Sequence, residues 1–371
     1  MIDDVFVINA VGHAYNMDPS NIQDNRYARW LNDALIDVHK DWNPPDLLVS
    51  PELFYSDWPV ETLAKTLFLE SDVDVAAIHT LRLDSYFKDG QARHRKTHEA
   101  VARYPDRFLA YVGLDPTKGL EVCMEQLEQQ LTDIPDAVGL KLYPHQIDPF
   151  RTWRMDDPSL AYPLFERARE AGIRTVAIHK ALALGPVPID PYRRIDDVEN
   201  AADAFPDLAF EIIHAGAAFT TETALAVARF PNIYANLEFT ASLLVRTPRE
   251  FERTIAEFMK WGGRDKIIYS DGSMLWHSQP FLERFMALEF SAETEETYGV
   301  TLTKEDKAAI LGGNYARVIG FDIEAAKTRI ADDEFSRERA RTGRQEPYSN
   351  WRADFAAGVP ADVEPAEVAA A

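Results

Sequence analysis

Three histidines and one aspartate occupy the same kind of place in this chain. His179 closes the apolar run Thr175-Val176-Ala177-Ile178, and His214 closes Glu211-Ile212-Ile213. His13 comes directly after a run from Val5 to Gly12, and Asp271 follows Lys266-Ile267-Ile268-Tyr269-Ser270. A continuous apolar run reads as a strand buried on both faces, as in parallel sheets. A histidine at the carboxyl end of such a strand stands where α/β barrels carry their chemistry. Neutral imidazole and carboxylate suit Zn²⁺, Fe²⁺ or Mn²⁺, and an open coordination position would hold water. A lone strand-end histidine is more often a hydrogen-bonded core residue. Four strands delivering ligand types at one end point instead to a shared metal site. The single cysteine, Cys123, leaves only nitrogen and oxygen donors for such an ion. It also rules out an intramolecular disulfide and suits a reducing cytoplasm.

The elements that must position these residues alternate along the chain. Strand-like runs begin near residues 5, 73, 108, 137, 174, 209, 233 and 266. Helical patterns fall at 60–71, 94–104, 120–131, 163–171, 194–205, 220–229, 248–261, 283–290 and 304–311. Eight such units predict a (β/α)₈ TIM-type barrel over residues 1–320 rather than an open doubly wound sheet. No Gly-x-Gly-x-x-Gly follows a strand and no Walker-type loop is present, so no nucleotide cofactor is expected. Residues 14–59 lose clear periodicity and are rich in Asn, Asp, Pro, Tyr and Trp. They read as a long loop inserted after strand one, either a lid and substrate wall or a packed dimer contact. Beyond residue 320 a charged C-terminal extension (321–371) ends in fifteen residues whose composition predicts a flexible tail.

A formal charge of -22 argues against a nucleic-acid backbone or an anionic membrane as partner. No apolar run approaches the roughly 20 residues that span a bilayer, and no basic segment opens the chain as in a secretory signal. The expectation is a cytoplasmic enzyme with a small-molecule substrate, and a homodimer by analogy with other barrels.

The pattern resembles the amidohydrolase superfamily, in its type 2 branch, from Val5 to about Gly320. The resemblance includes Gly139-Leu140-Lys141-Leu142-Tyr143-Pro144, Ser270-Asp271-Gly272 and the closing Ile310-Leu311-Gly312-Gly313-Asn314-Tyr315-Ala316-Arg317. It implies a (β/α)₈ barrel of metal-dependent hydrolases, non-oxidative decarboxylases and some hydratases. On it, His179 is the strand-five ligand, and His214 is the strand-six histidine, a ligand or an acid/base. Asp271 is the strand-eight carboxylate, which can touch both metal and the nucleophilic water, take the water's proton and later deliver it to the leaving group.

Strand one departs from the family pattern Asp-x-His-x-His. If His13 is the second histidine, Asn9 and Val11 replace the other two residues and a single metal is favoured. If His13 is the first, Tyr15 takes the second place and a phenolate ligand favours iron. Lys141 is either a carboxylated bridge between two metals or a cation facing substrate or a carboxylate. Glu238, at the end of strand seven, is a ligand, a supporting residue or, more simply, a hydrogen-bonded rim carboxylate. Alternation points Lys180 away from the ligand side. Arg82, Tyr143 and Trp276 are expected substrate walls; His79, His145 and His277 lie near strand ends or loops. His39, His94 and His98 read as structural.

The sequence thus predicts a metal-dependent hydrolase that uses one or two ions of Zn, Fe or Mn. It would activate water to cleave an amide, ester or thioester of a small, largely apolar substrate, with His214 or Asp271 handling the proton. The alternatives are a non-oxidative decarboxylase of an aromatic or unsaturated carboxylic acid, and a barrel that binds no metal and serves as a binding or structural subunit.

Overall fold

The apolar runs become eight parallel strands in the computed structural model, which describes residues 1–215 and 217–362. They are β1 (Ile8–Gly12), β2 (Val75–His79), β3 (Phe108–Gly113), β4 (Gly139–Leu142), β5 (Thr175–His179), β6 (Ala209–Ile213), β7 (Ile233–Asn236) and β8 (Ile267–Ile268). Each pairs with the next in sequence. The register slips between Asn9 and Gly12, so β1 leaves β2 irregularly just before His13. The circle closes through the chain after β8. There Ala10 N donates to Tyr269 O at 3.1 Å, Gly272 N to Val11 O at 3.1 Å and His13 N to Ser273 O at 2.7 Å. A closed parallel barrel is the expected architecture, and it is the one found.

Side-chain alternation splits the apolar residues between two layers. Ile8, Ala10, Val75, Ala77, Ala177 and Ile213 fill the barrel interior. Val7, Ala76, Ile78, Val176, Ile178 and Ile212 face the helices. Polar groups cross the interior at one level, where Glu211 accepts from Tyr111, from Thr175 Oγ1 at 2.7 Å and from Asn236 Nδ2 at 2.7 Å. A Cβ at Gly139 would lie 2.1 Å from the Tyr111 ring, so only glycine lets that ring lie flat across the barrel.

One expectation needs correction. Residues 14–59 are not a structureless loop, because Arg26–Trp42 forms a helix of 17 residues, α1, capped by the Asn25 side chain on Ala28 N at 2.9 Å. Its buried face includes Asn32 and His39 beside Ala28, Leu31 and Ile36, and those polar members hide the helical period from a hydropathy reading. The insertion is clasped at both ends by Lys96, whose Nζ donates to Ala14 O at 3.4 Å and Trp58 O at 2.7 Å and pairs with Asp57.

The extension beyond residue 321 forms helices over Ile323–Ile330, Glu334–Thr342 and Ser349–Ala357. Arginines fasten it to the barrel: Arg107 Nη2 to Asp333 at 3.0 Å, and Arg339 to Asp72 at 2.7 Å and to Ser71 O at 2.6 Å. Of the tail expected to be flexible, 363–371 lie outside the described residues. Among the described residues no helix is long and apolar enough to cross a membrane.

Candidate functional site

The carboxyl ends of β1, β2, β4, β5, β6 and β7 deliver His13, His79, Lys141, His179, His214 and Glu238 to one mouth. Four of them form a continuous line of facing donors. His13 Nε2 lies 3.2 Å from Glu238 Oε1, His214 Nε2 lies 3.7 Å from Glu238 Oε2, and His214 Nε2 lies 3.0 Å from His179 Nδ1. His179 Nε2 meets the Leu182 carbonyl at 2.7 Å; a carbonyl only accepts, so that nitrogen carries the proton and Nδ1 presents its lone pair to His214. His214 holds its place with φ of +62°, a left-handed backbone unusual for a non-glycine residue. His79 donates from Nε2 to Ala10 O at 2.8 Å and stacks on Tyr111, with ring centroids 3.9 Å apart.

Burial sets the charge state of the group. It lowers His13, takes His79 and His179 well below the usual imidazole value and brings His214 to about 4, so all four are neutral at neutral pH. Burial also works against the Glu238 carboxylate. The neighbouring His214, the His13 hydrogen bond and Lys141 outweigh it and hold Glu238 well below the ordinary carboxylate range. Lys141 is lowered to about 8 by burial, against the pull of Glu238 and Glu211.

Aromatic rings wall the mouth. Tyr15 stacks on His13 and Tyr143 on His179, each with centroids 4.7 Å apart. Phe239 stands 6.3 Å from His214 and bridges Trp42 of the insertion, at 4.9 Å, to Trp276, at 5.6 Å. Helix α1 reaches over the same side, where the Leu275 carbonyl accepts from Asn43 Nδ2 at 3.1 Å and from His39 Nδ1 at 3.0 Å. The insertion thus roofs the mouth, and no residue of the polar line is more than 6% exposed.

Asp271 is the chief departure from the expected arrangement. Its Oδ1 accepts from Asn9 Nδ2 at 2.6 Å, Ser273 N at 3.0 Å and Ser273 Oγ at 2.8 Å, and its Oδ2 from Tyr269 OH at 2.8 Å. It is therefore tied into the seam between β1 and the end of β8, while Glu238 takes the central place among the imidazoles. Tyr15 enters as a protonated phenol, held so by burial and by the Glu238 charge. Arg82 stands apart: it pairs with Asp84 at 3.1 Å and lines an outer hollow with His94 and Gln126. Lys180 lies outside the mouth as alternation indicates, bound to Asp197 at 3.1 Å and to Pro191 O at 2.9 Å. His145 is held between Tyr86 and Tyr192, and His277 pairs with Glu70 at 3.3 Å. The central role of Glu238 had one sequence signal, a carboxylate two residues past β7 where β5 and β6 end in histidines. The Trp42–Phe239 contact left none.

A family model described as amidohydrolase matches residues 88–321, well over half of the chain. The chain belongs to the amidohydrolase family. No curated protein matches it by sequence. Among solved structures this amidohydrolase resembles an uncharacterized TIM-barrel protein of Bordetella bronchiseptica, with a TM-score of 0.58 at 16% identity over 85% of this chain and 98% of the other. It resembles 5-carboxyvanillate decarboxylase of Sphingomonas paucimobilis with 0.56 at 15% identity, over 86% and 100% of the two chains. A third is a dihydroxybenzoic acid decarboxylase of Polaromonas sp. JS666, with 0.53 at 13% identity over 85% and 96%, solved with bound manganese and 2-nitroresorcinol. At these identities the likeness establishes the fold.

Whether the residues of this amidohydrolase suit a metal ion turns on donor chemistry and spacing. Three neutral imidazoles and one ionised carboxylate are a donor set that a first-row dication accepts. Neighbouring ligands held at ~2.1 Å from one ion stand roughly 3.0–3.4 Å apart, and the facing pairs here are separated by 3.0, 3.2 and 3.7 Å. Among the described residues no group of three or more His, Cys, Asp or Glu side chains is placed to hold a metal ion as it stands. The donor chemistry fits a dication, and the pairwise spacing of the line comes close to it.

Proposed function

We propose that this amidohydrolase is a metal-dependent hydrolase that cleaves a carbonyl-type bond (amide, ester or thioester) of a small, largely apolar substrate. The observation that carries the reading is the line His13, Glu238, His214 and His179 enclosed by Tyr15, Tyr143, Phe239 and Trp276. These four residues would hold one or two ions of Zn, Fe or Mn. When bound, such an ion polarises a carbonyl and lowers the pKa of water toward neutrality. The protein's own groups do the rest. His214 either joins that set or, standing free of the ion, handles the proton, and the protonated phenols of Tyr15 and Tyr143 can donate to a developing oxyanion. The aromatic walls and the roof of α1 exclude bulk water, and the roof must lift to admit substrate.

A second reading, non-oxidative decarboxylation of an aromatic or unsaturated carboxylic acid, is favoured by Asp271. Four donors occupy its oxygens, which leaves it poorly placed to take a proton from water. Two of the proteins with this fold are decarboxylases of aromatic acids. Protein purified without added metal should carry Zn, Fe or Mn by elemental analysis. It should hydrolyse members of an ester, thioester and amide panel, and lose that turnover on chelation. Carbon dioxide release from an aromatic-acid panel, without hydrolysis, would replace the first reading by the second. Turnover unaffected by chelation in metal-free protein would remove both.

A further inference from the structure

The mouth contains a nucleophile that the proposed reaction leaves unused. Lys141 projects from β4 into the barrel and is 1% exposed, yet its Nζ has no hydrogen-bond partner. The contact it makes is with the face of Tyr143, 5.2 Å from the ring centroid. The other two lysines buried to the same degree are fully engaged. Lys96 binds Asp57 and two carbonyls, and Lys180 binds Asp197 and the Pro191 carbonyl. A buried ammonium without a partner is unfavourable by several kcal/mol. The same amine, once neutral, has a free lone pair in a desolvated pocket, the environment of lysines that form Schiff bases.

We propose that Lys141 is a covalent site for small aldehydes and ketones, forming an imine at the barrel mouth independently of any metal. The neutral Nζ attacks the carbonyl carbon, and the C=O π pair moves to oxygen, which takes up a proton to give a carbinolamine. The nitrogen then loses its second hydrogen as the hydroxyl leaves with a proton. The sum is R₂C=O plus the lysine amine giving R₂C=N–Lys and one water, with no change of oxidation state. The ring of Tyr143 beside Nζ favours an aromatic carbonyl compound.

The test is reductive trapping on the full chain. The protein is incubated with limiting benzaldehyde and sodium cyanoborohydride, and the adducts are mapped by peptide mass spectrometry. Lys141 should be labelled at least about tenfold faster than the exposed Lys40 and Lys304, since solvated, protonated amines are poor nucleophiles. Lys141→Met, which keeps the stem length, should retain the thermal transition and lose that adduct alone. Labelling of Lys141 no faster than of Lys40 overturns the proposal, and the wild-type map gives that answer even if the variant does not fold. A carbamate carbon on Lys141 after ¹³C-bicarbonate labelling overturns it too, by assigning the amine to carboxylation. Trapping is run on metal-loaded and chelated protein alike. Loss of turnover on chelation reports on the hydrolase reading and leaves the adduct unchanged.

Discussion

Replacing Glu70 should loosen the C-terminal extension and the loop after β8 together. Glu70 is fully buried just past the helix Val60–Phe68, and its carboxylate gathers donors from two distant segments. Tyr348 N reaches it at 2.6 Å, Asn350 N at 2.8 Å and Asn350 Nδ2 at 2.7 Å, all at the start of the helix Ser349–Ala357. His277 Nε2 reaches it at 3.3 Å from the loop that carries Trp276, and Tyr348 OH donates to Met274 O in that loop at 3.0 Å. Glu70→Ala leaves two backbone N–H groups and an imidazole buried without an acceptor, a loss of roughly 3–5 kcal/mol. For a chain of this size that corresponds to a fall of roughly 4–6 °C in Tm. Glu70→Gln keeps one acceptor and should lose roughly 1–3 kcal/mol. Burial opposes the charge of Glu70, but His277 and Asn350 outweigh it and hold its carboxyl below the usual value. The stability it contributes is therefore complete above the unfolded value of ~4.3 and is lost as pH falls through the lower folded value. Urea midpoints measured between neutral pH and pH 3 should accordingly fall less steeply for Glu70→Gln than for the wild type. Hydrogen exchange should accelerate in residues 272–277 and 349–357 to the same extent. An Ala variant within about 0.5 kcal/mol of wild type, or loosening of only one of the two segments, would refute the coupling.

Three further outcomes follow from the geometry. Asp271→Asn turns an amide donor toward Asn9, Tyr269 and Ser273. It should lower turnover about 100-fold or more and stability by roughly 1–3 kcal/mol; kinetics and thermal melts check both, and a fully active Asn variant contradicts the role. Gly272 has φ of +70°, and a Cβ there would stand 2.9 Å from Glu238 Oε1. Gly272→Ala should therefore displace Glu238 and cost roughly 1–3 kcal/mol, read as a lower metal content at equal loading together with a lower Tm. Lys96→Met strips the clasp from both ends of the insertion and leaves Asp57 with Arg93 alone, 3.3 Å away. It should cost roughly 3–5 kcal/mol and speed proteolysis within residues 14–59; an unchanged cleavage pattern counts against the clasp.

The barrel was legible because period and punctuation agreed from β2 to β7, where apolar runs end in polar residues and helices intervene. His13, His179 and His214 were legible for the same reason, since a strand end fixes where a side chain points. Helix α1 was not, because its buried face contains His39 and Asn32, whose partners Leu275 O and Met17 O lie far from it in sequence. The contacts of the extension were not legible either, because Arg107 with Asp333 and Arg339 with Asp72 are bonds between segments more than 200 residues apart. Local composition does not distinguish a charge in water from a charge with a distant partner. Arg82 failed through direction: it follows β2 closely, but the chain turns it toward Asp84 and the outer helices.

The hydrogen bonds that hold Asp271 in the seam converge on Asn9. Asn9 donates to Asp271 Oδ1 at 2.6 Å and accepts from Asp271 N at 3.3 Å and Val11 N at 3.2 Å, so one neutral amide fastens β1 to the chain after β8. Where Asn9 stands in for the family's aspartate, with His13 as the second histidine, an aspartate there would set two carboxylates at hydrogen-bond distance, and both could not stay ionised without a cation. Asparagine removes the repulsion and supplies a donor, so Asp271 can settle into the seam. The imidazoles then take their carboxylate from β7, and Gly272, with no Cβ, leaves room for Glu238 to stand among them. Val11 is buried in the apolar interior of the barrel, and His13 is the residue of this segment that joins the polar line. The closure between β1 and the chain after β8 thus rests on amide and backbone hydrogen bonds, while the negative charge of the polar line is that of Glu238.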